Sequence, residues 1–349
     1  MSAIPESKNH LSTLIDQAHE KKADSFREHL GASLLGHPCD RYLWLSFRWA
    51  VKPTFPGRML RLFRRGHNEE DTVIADLKLI NCAINERQNR VDFGSFVSGS
   101  CDGIITSGLP GGYEKHKFVL EIKTHSKKSF DDLIKKGVAL GKEQHFIQMQ
   151  AYMLGLKIDR ALYYAVCKDD DRIYTEIVKL DHALATKYVE RGKKIALSDY
   201  MPEPLSADPS WYQCKMCNFH SFCHDTKLTK EVNCRTCALS TATSDSKFLC
   251  SKYDSWEIAA EHQRTGCPGH VLHPDLVPWQ RAESDNAHEA VYIIDNQPVR
   301  NGEPCERVYS SAEIIADPVA CAHADETTEA LRDTFDARLV SVNDEEPQF

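Results

Sequence analysis

The chain of 349 residues lacks the features that mark a membrane protein or an exported protein. No uncharged apolar run approaches the ~20 residues that a membrane-spanning helix requires. The first ten residues, MSAIPESKNH, lack the apolar stretch of a secretion signal. There is also no internal repeat and no low-complexity tract. We therefore expect a cytoplasmic protein with one large domain or two smaller ones.

The excess of acidic residues lies at one end of the chain. The formal net charge is -8, but residues 301–349 hold 12 acids and 3 bases, which is a local charge of -9. The other 300 residues hold 39 acids and 40 bases, a charge of +1. We expect 301–349 to be an acidic C-terminal tail. It is either a solvated end or a mimic of nucleic acid that fills a basic groove, and charge runs favour the solvated end.

The order of predicted helices and strands indicates an α/β fold, with a mixed sheet flanked by helices. Helical spacing of apolar residues predicts helices in 11–30, 58–79, 143–156 and 182–198. Strands are predicted near 90–93, 96–106, 117–124, 161–167 and 173–180. Three prolines at 202–209 then mark a linker, and residues 211–270 are rich in cysteine but poor in periodic pattern.

A candidate catalytic strand ends in Glu121, Ile122 and Lys123, which follow the apolar run 118–120. Alternate side chains of a strand share a face, so Glu121 and Lys123 would lie together. Asp102, in the preceding predicted strand, adds a second carboxylate. Two carboxylates can hold a hard divalent cation, and a neighbouring lysine can orient or activate a water molecule. These are the minimum groups for metal-dependent cleavage of a phosphodiester.

Three further side chains fit the same chemistry. His67 lies on the predicted helix 58–79, and its imidazole could complete a cation site that accepts manganese as well as magnesium. Gln148 and Tyr152 are four residues apart on a predicted helix and share a face, so they could hold the water, the lysine or a phosphate. Each pattern is common by itself, because a Glu-x-Lys pair is usually a surface salt bridge and a single histidine is usually structural.

The ordered set resembles the RecB-type branch of the PD-(D/E)XK nuclease superfamily over roughly residues 30–225. That branch has a helix histidine, an aspartate ending one strand, Glu-x-Lys on the next, and Gln-x-x-x-Tyr on a helix. The resemblance implies that the ligands of Mg²⁺ or Mn²⁺ are His67, Asp102, Glu121 and the Ile122 carbonyl. It implies that the catalytic residues are Asp102, Glu121, Lys123, Gln148 and Tyr152. One departure is Cys101, where the superfamily name implies proline.

Thirteen cysteines is a high count, and without a secretion signal their Cys-x-x-Cys spacings indicate metal sites rather than disulfides. Three cysteines follow the nuclease pattern, namely Cys214, Cys217 and Cys223. Cys39 is the candidate fourth ligand. This layout resembles the iron–sulfur subgroup of the same branch, which includes the CRISPR adaptation nuclease and the AddB nuclease. The resemblance implies a [4Fe-4S] cluster that closes a long loop. Zinc is the alternative, with His220 or His224 able to replace Cys39.

A second set of cysteines follows at once and consists of Cys234, Cys237, Cys250 and Cys267. A Cys-x-x-Cys with two further spaced ligands is typical of zinc, so we expect a zinc ribbon, with His270 as an alternative fourth ligand. Free cysteines in a small core are the other interpretation. A nuclease with such an extension is similar to nucleases carried by tailed bacteriophages. The remaining cysteines have no ligand spacing and are expected to be free thiols.

Two basic stretches are candidates for contact with DNA. Residues 41–66 hold no acid, six aromatic residues and seven basic ones, which are Arg41, Arg48, Lys52, Arg58, Arg61, Arg64 and Arg65. Basic residues neutralise phosphates and aromatic rings stack on unpaired bases, although at least half of these rings are expected in the core. A second run of lysines spans 123–142. No base-reading motif is present, so we expect weak sequence specificity.

We therefore expect a metal-dependent DNA exonuclease that acts on DNA ends or single strands in recombination, repair or bacteriophage DNA metabolism. No helicase motif is present, so a helicase or a single-strand annealing protein is the expected protein partner. The alternatives are a site-specific or structure-specific endonuclease, and a DNA-binding protein with a vestigial nuclease fold. Four segments are expected: a helical segment at 1–30, the nuclease domain at 31–225, a zinc-binding extension at 226–300, and the tail at 301–349.

Overall fold

The computed structural model describes residues 10–22, 26–85 and 90–335 of the chain. Contacts between Cα atoms divide the chain into two units. The first unit contains the described residues of 1–37, 53–93 and 97–192. The second contains the described residues of 38–52, 94–96 and 193–349. The four segments expected from the sequence stay a prediction.

The described residues form eleven α-helices. These are α1 (Leu11–Lys22), α2 (Asp40–Phe47), α3 (Gly57–Leu79), α4 (Lys127–Gly141), α5 (Glu143–Leu156), α6 (His182–Ala196), α7 (Tyr212–Lys215), α8 (Ala260–Gln263), α9 (Ser311–Ala316), α10 (Pro318–Ala322) and α11 (Glu326–Phe335). Among the described residues, no helix combines the length and the apolar character that crossing a membrane requires.

The described residues also form fifteen strands. These are β1 (Leu30–Gly31), β2 (Ala83–Asn85), β3 (Arg90–Gly94), β4 (Val97–Ser100), β5 (Gly103–Ser107), β6 (Phe118–His125), β7 (Arg160–Cys167), β8 (Ile173–Lys179), β9 (Ser240–Ala242), β10 (Phe248–Cys250), β11 (Trp256–Glu257), β12 (Gln280–Ala282), β13 (Ala290–Ile294), β14 (Gln297–Asn301) and β15 (Val308–Tyr309).

The first unit is built on a five-stranded sheet in the order β2-β5-β6-β7-β8. β6 and β7 are parallel and the other neighbours are antiparallel, so the mixed sheet flanked by helices is confirmed. α3 packs on one face of this sheet through Val73, Ile74 and Leu77. α4 and α5 contact β6 and β7. Both central strands are buried along almost their whole length, which explains their nearly continuous apolar sequences.

Two differences from the predicted elements bear on the site. The single strand predicted at 96–106 is interrupted at Cys101 and Asp102, and its halves β4 and β5 join different sheets. The helix α4 was not predicted, because it carries many lysines and has a kink where Gly137 adopts a φ of 70°. The predicted helices at 58–79 and 143–156 agree closely with α3 and α5.

The second unit contains two small sheets, in the orders β11-β10-β9 and β12-β13-β14-β15. The four-stranded sheet buries Tyr292, Ile294 and Val299 in a core that also includes Leu272 and Ile314. The sequence analysis did not predict this sheet.

The expectation that 301–349 is a solvated acidic tail is wrong for its described part, which ends at Phe335. Arg332 is buried and its Nε donates to Glu313 Oε1 at 2.9 Å, while its Nη2 donates to the Val308 carbonyl at 2.7 Å. Glu329 accepts from the Tyr309 hydroxyl. The acidic side chains therefore fold back onto one arginine, and this pairing could not be read from the local charge. The acidic run at 344–346 lies outside the described residues.

Candidate active site

The site forms where β5 stops pairing with β6. The last pair of these strands joins Gly103 to Leu120, whereas β7 continues beside β6 as far as His125. Asp102, the residue just before β5, fills the position that the strand leaves open. Its Oδ2 accepts a hydrogen bond from the backbone N–H of Ile122 at 2.7 Å. The end of β5 therefore brings the Asp102 carboxylate to the segment of β6 that carries Glu121 and Lys123.

Side chains of β6 alternate as the sequence predicts. Phe118, Leu120 and Ile122 belong to the core that packs against α3. Glu121 and Lys123 form an ion pair on the other face, and the Glu121 side chain is 0% exposed whereas that of Lys123 is 27% exposed. The carboxylate is thus enclosed, whereas part of the Lys123 side chain is exposed.

Glu121 is the most strongly perturbed carboxyl of the site. Burial is the main cause that raises its pKa to about 8. The charge of Lys123 opposes this shift, and the charges of Asp102 and Glu70 add to it. Its Oε1 pairs with Lys123, and its Oε2 has no hydrogen-bond partner among the described residues. A buried carboxylate oxygen without a partner is costly, so this position fits a cation ligand. The hard oxygen donors of Glu121 and Asp102 suit Mg²⁺ or Mn²⁺.

Lys123 keeps its proton in this environment. Burial lowers the pKa of Lys123, but the charges of Glu121, Asp102 and Glu70 outweigh that effect and raise the pKa above its ordinary value. The ammonium is therefore held near the carboxylates of Glu121, Asp102 and Glu70. Such a group can orient a water molecule or stabilise negative charge on a phosphate, and it is a poor general base while those carboxylates remain uncompensated.

Glu70 on α3 is a site residue that the sequence analysis missed. Its charge acts on the pKa of both Glu121 and Lys123. His67, the predicted ligand, lies one turn earlier on α3 and is exposed. The available signal was the acidic run at 69–71, which begins two residues after His67, but the rotation of the helix decides which of these residues faces the strand.

Gln148 and Tyr152 lie on α5 and are both buried. The Tyr152 hydroxyl donates to the Ser100 carbonyl at 2.9 Å and accepts from Gln148 Nε2 at 3.4 Å. Burial raises the pKa of Tyr152, and the charge of Glu121 raises it further. Ser100 ends β4, two residues before Asp102. The tyrosine therefore fixes the turn that carries Asp102.

Two neighbours of that turn show how tightly it is packed. A Cβ atom on Gly99 would lie 2.7 Å from the Tyr152 hydroxyl oxygen and 2.8 Å from Cβ of Ala32, so only glycine fits there. Cys101 is fully buried, and burial, Glu121 and Asp102 raise the pKa of its thiol to about 12. Cys101 is therefore a neutral side chain beside the carboxylates.

A buried hydrogen-bond network adjoins the carboxylates and was also missed. Tyr163 on β7 pairs in register with Glu121, and its hydroxyl contacts His125 Nε2 and His145 Nδ1, each at 2.9 Å. The pKa of His125 is lowered to about 4 and that of His145 to about 3. Burial is the largest cause, and the charges of nearby lysines, including Lys123, add to it. Both imidazoles are therefore neutral. The network joins residues far apart in sequence, so no local spacing could indicate it.

The first cysteine set is brought together in the second unit. Cys39, Cys214, Cys217 and Cys223 line one cavity, together with Arg41 and a largely apolar wall. The Cys39 Sγ accepts from the Tyr42 N–H and the Cys217 Sγ from the Phe219 N–H, each at 3.4 Å. Amide donors of this kind stabilise thiolate ligands. Within the described ranges, no group of three or more histidine, cysteine, aspartate or glutamate side chains is arranged so that it could hold a metal ion.

The alternative ligands of this set have other contacts. The Nε2 of His220 lies 3.2 Å from the Pro209 carbonyl oxygen, so that nitrogen is engaged. His220 and His224 also pack ring to ring, with centroids 5.0 Å apart. Both histidines therefore have contacts of their own, and the choice of Cys39 as the fourth ligand stays a prediction.

Much of the predicted basic stretch at 41–66 cannot contact a nucleic acid. Arg48 is fully buried, where its Nη2 donates to Asp199 Oδ1 at 3.1 Å, and Arg41 is 8% exposed. Three of the six aromatic rings, those of Trp44, Phe47 and Trp49, are also buried. The basic side chains that remain exposed include Lys52, which precedes α3, and others on α3 and α4, namely Arg58, Arg64, Arg65, Lys127, Lys128, Lys135 and Lys136.

No protein-family model matches the chain, and no curated protein matches it. Three solved structures share part of its arrangement. A crystal structure of SSO0001 has a TM-score of 0.38 and 16% identity, over 61% of this chain and 95% of that one. The alkaline exonuclease LHK-Exo from Laribacter hongkongensis has a TM-score of 0.36 and 15% identity, over 52% of this chain and 90% of that one.

The third structure is a phage related exonuclease from Haemophilus somnus 129PT, with a TM-score of 0.34 and 16% identity, over 51% of this chain and 94% of that one. Matches with such low scores and identities assign no family to the chain. Its chemistry must therefore be inferred from the groups around Glu121.

Proposed function

We propose that the protein is a divalent-metal-dependent deoxyribonuclease that hydrolyses phosphodiester bonds, and that it acts as an exonuclease on DNA ends or single strands. The observation that carries the proposal is the enclosed Glu121 carboxylate, whose Oε2 has no hydrogen-bond partner among the described residues. Asp102 and Glu70 add negative charge beside it. A vestigial fold would have no reason to retain a buried carboxylate with one oxygen left without a hydrogen-bond partner.

Asp102, Glu121 and the Ile122 carbonyl are the proposed ligands of Mg²⁺ or Mn²⁺, with Glu70 or His67 as a further ligand from α3. A cation bound there would polarise the scissile phosphate and lower the pKa of a bound water. Asp102 is held by the Ile122 N–H at 2.7 Å, and Tyr152 holds the turn before it. The ligand oxygens are therefore positioned before any substrate arrives, as electrostatic catalysis requires.

Lys123 acts on the substrate side of the carboxylates. Its side chain is 27% exposed and its pKa is raised, so at neutral pH it orients the attacking water or the phosphate by donating hydrogen bonds. In hydrolysis the water oxygen forms a new bond to phosphorus while the bond to the leaving oxygen breaks. The developing negative charge on the phosphate is stabilised by the lysine. Exposed lysines of α4, the helix that follows β6, can then neutralise neighbouring phosphates.

The proposal includes a [4Fe-4S] cluster on Cys39, Cys214, Cys217 and Cys223, with zinc as the alternative. The shared cavity and the N–H bonds to two of the sulfur atoms support this set. A cluster there would join segments 175 positions apart. Anaerobic purification should give a brown protein whose broad visible absorption is lost in Cys217→Ser. A colourless protein that contains zinc at this site would establish the alternative.

The nuclease proposal is tested by incubating the protein with end-labelled linear DNA and with closed circular DNA, with Mn²⁺ or with a chelator. We expect metal-dependent degradation of the linear DNA alone, and loss of that activity in Lys123→Ala with DNA binding retained. Cutting of the circles at fixed positions would instead indicate an endonuclease. Cleavage by Lys123→Ala at the wild-type rate would refute the assignment of the site.

A further inference from the structure

The second cysteine set lies in the second unit, and none of its four cysteines takes part in the site around Glu121. Cys234 opens a short 3-10 turn that ends at Thr236, and Cys237 follows it. Cys250 ends β10, where it pairs with Ser240, and the N–H of Ser240 bonds back to the Cys237 carbonyl at 3.3 Å. The strand pairing therefore carries Cys250 to the Cys234–Cys237 turn.

Cys267 reaches the same place from a third segment. It begins a turn in which its carbonyl accepts from the His270 N–H at 3.0 Å. The next residue, Val271, donates its N–H to the Cys237 Sγ at 3.4 Å, and Leu239 donates a second N–H to that sulfur, also at 3.4 Å. Two amide donors on one sulfur are typical of a thiolate that binds a metal.

We propose that Cys234, Cys237, Cys250 and Cys267 bind one structural Zn²⁺ as four thiolate ligands. Zinc takes four sulfur ligands in tetrahedral geometry, with bonds of about 2.3 Å, and needs no water or substrate in such a closed site. One ion would then link three segments of the chain: the Cys234–Cys237 turn, the end of β10 at Cys250, and the turn that begins at Cys267. This inference is independent of the nuclease proposal, because none of the four cysteines takes part in the site around Glu121.

The predicted alternative ligand His270 is committed elsewhere. Its Nε2 lies 3.0 Å from the Asn233 carbonyl oxygen, and its Nδ1 lies 2.7 Å from the Ser311 hydroxyl. Both ring nitrogens therefore have partners within the protein, and the ring is buried. His270 instead braces the residue before Cys234, which leaves the four sulfur atoms as the ligand set.

Reciprocal hydrogen bonds hold the Cys234–Cys237 turn. The Asn233 side chain accepts from the N–H groups of Arg235 and Thr236 at 3.0 and 3.2 Å, and the Thr236 hydroxyl accepts from the Asn233 N–H at 3.2 Å. This reciprocal capping fixes the backbone between the first two ligands. A site of this kind loses little conformational entropy when it takes up zinc.

Arg235, between the two ligands, anchors the turn in the core. Its guanidinium lies 3.9 Å from the ring centroid of Trp49 and 4.7 Å from that of Phe248, and its Nε donates to Gln263 at 3.0 Å. The side chain is 1% exposed. The arginine is therefore held by cation–π contacts and hydrogen bonds, which keep the flanking cysteines in place.

A lysine also lies beside the third ligand segment. Zinc with four thiolates carries a net charge of -2, so a nearby cation stabilises it. Lys252 lies against the Cys267–His270 turn, where a Cβ on Gly269 would be 2.2 Å from its Nζ. Its ammonium pairs with Glu303 at 2.5 Å and lies within electrostatic reach of Cys267.

The test is the zinc content of the full-length protein, purified without added metal and measured together with iron. We expect Cys237→Ser to lose one equivalent of zinc while the metal of the first cysteine set is unchanged. Cys321→Ser is the matched control, because Cys321 is a similarly buried cysteine of the same unit. That control should keep all the zinc, and so should Cys217→Ser if the first set binds iron.

Two further measurements guard against a variant that does not fold. Cys250→His replaces one zinc ligand by another, so it should keep the zinc that Cys250→Ser loses. In the wild-type protein, replacing zinc by Co²⁺ should give a sulfur-to-cobalt charge-transfer band. Unchanged zinc content in Cys237→Ser, or a disulfide between Cys234 and Cys237 in a zinc-free wild-type protein, would overturn the proposal.

Discussion

The carboxylate of Asp102 replaces a strand partner: its Oδ2 accepts the hydrogen bond of the Ile122 N–H at 2.7 Å, at the point where β5 no longer pairs with β6. One side chain therefore satisfies the backbone of the central strand and also supplies charge to the site. These two roles can be separated by substitution.

Asp102→Asn should separate them. The amide oxygen of asparagine can still accept from the Ile122 N–H, so we expect the free energy of unfolding to change by less than ~1 kcal/mol, while metal-dependent cleavage is lost because the ligand charge is gone. Asp102→Ala removes both roles and should cost ~1–3 kcal/mol as well. Urea denaturation and cleavage rates measure the two effects. Equal stability of the two variants would contradict the structural role of Asp102.

Glu121 makes the stability of the metal-free protein depend on pH. Its pKa is raised from 4.5 to about 8, so the folded state favours the protonated form. The stability that this proton contributes is fully present below pH 4.5 and is lost as the pH rises through about 8. In Glu121→Gln that loss should be absent. Thermal unfolding in chelator between pH 5 and pH 9 measures it, and parallel pH profiles for the two proteins would rule this explanation out.

The same pKa governs binding of the cation. Mn²⁺ must displace the proton of Glu121, so below pH 8 its apparent affinity should rise by up to ~10-fold per pH unit and then level off. The half-saturating Mn²⁺ concentration for cleavage, or calorimetric titration without DNA, gives this dependence. An affinity that does not change between pH 6 and pH 8 would show that Glu121 binds no proton that the metal displaces.

Glu70 and His67 can be compared directly on α3. Because the charge of Glu70 acts on both Glu121 and Lys123, Glu70→Gln should raise the half-saturating Mn²⁺ concentration by ~10-fold or more. Glu69→Gln is the matched control and should have little effect. A large effect of His67→Ala with none in Glu70→Gln would instead support the ligand expected from the sequence.

Tyr152→Phe should lower the cleavage rate, because the Tyr152 hydroxyl holds the turn at Ser100 that precedes Asp102. Without the hydroxyl, the Ser100 carbonyl loses its 2.9 Å hydrogen bond, at a cost of ~0.5–1.5 kcal/mol, and Asp102 is held less firmly. The half-saturating Mn²⁺ concentration should then rise, and the free energy of unfolding should fall. A Tyr174→Phe control removes a hydroxyl of β8 that bonds Glu176, and it should leave the metal requirement unchanged. Reduced cleavage at normal metal affinity would contradict this positioning role.

The central strand could be predicted from the sequence because its pattern is local. β6 is buried on both faces, so Glu121 and Lys123 stand out in an otherwise apolar run, and their shared face follows from the period of two. Gln148 and Tyr152 were found in the same way from helical spacing. The two cysteine sets were noticed from their Cys-x-x-Cys pairs, and the metals assigned to them stay a prediction.

The remainder depends on contacts between distant residues. Whether His67 or Glu70 faces the strand depends on how α3 is rotated against the sheet, and a helix sequence with acids on several faces does not determine that. The network of His125, Tyr163 and His145 joins β6, β7 and α5. Arg332 turns an acidic segment into folded helices through partners on other elements. Composition could not indicate these pairings.

The most direct test of the catalytic site is the rate at which Glu121→Gln degrades end-labelled linear DNA in saturating Mn²⁺, measured beside the wild-type protein at equal DNA occupancy. Glutamine keeps the shape of the buried side chain and removes its charge. We predict a loss of at least ~100-fold in rate with DNA binding retained. Degradation by Glu121→Gln within a few-fold of the wild-type rate would contradict the assignment of Asp102, Glu121 and Lys123 as the catalytic centre.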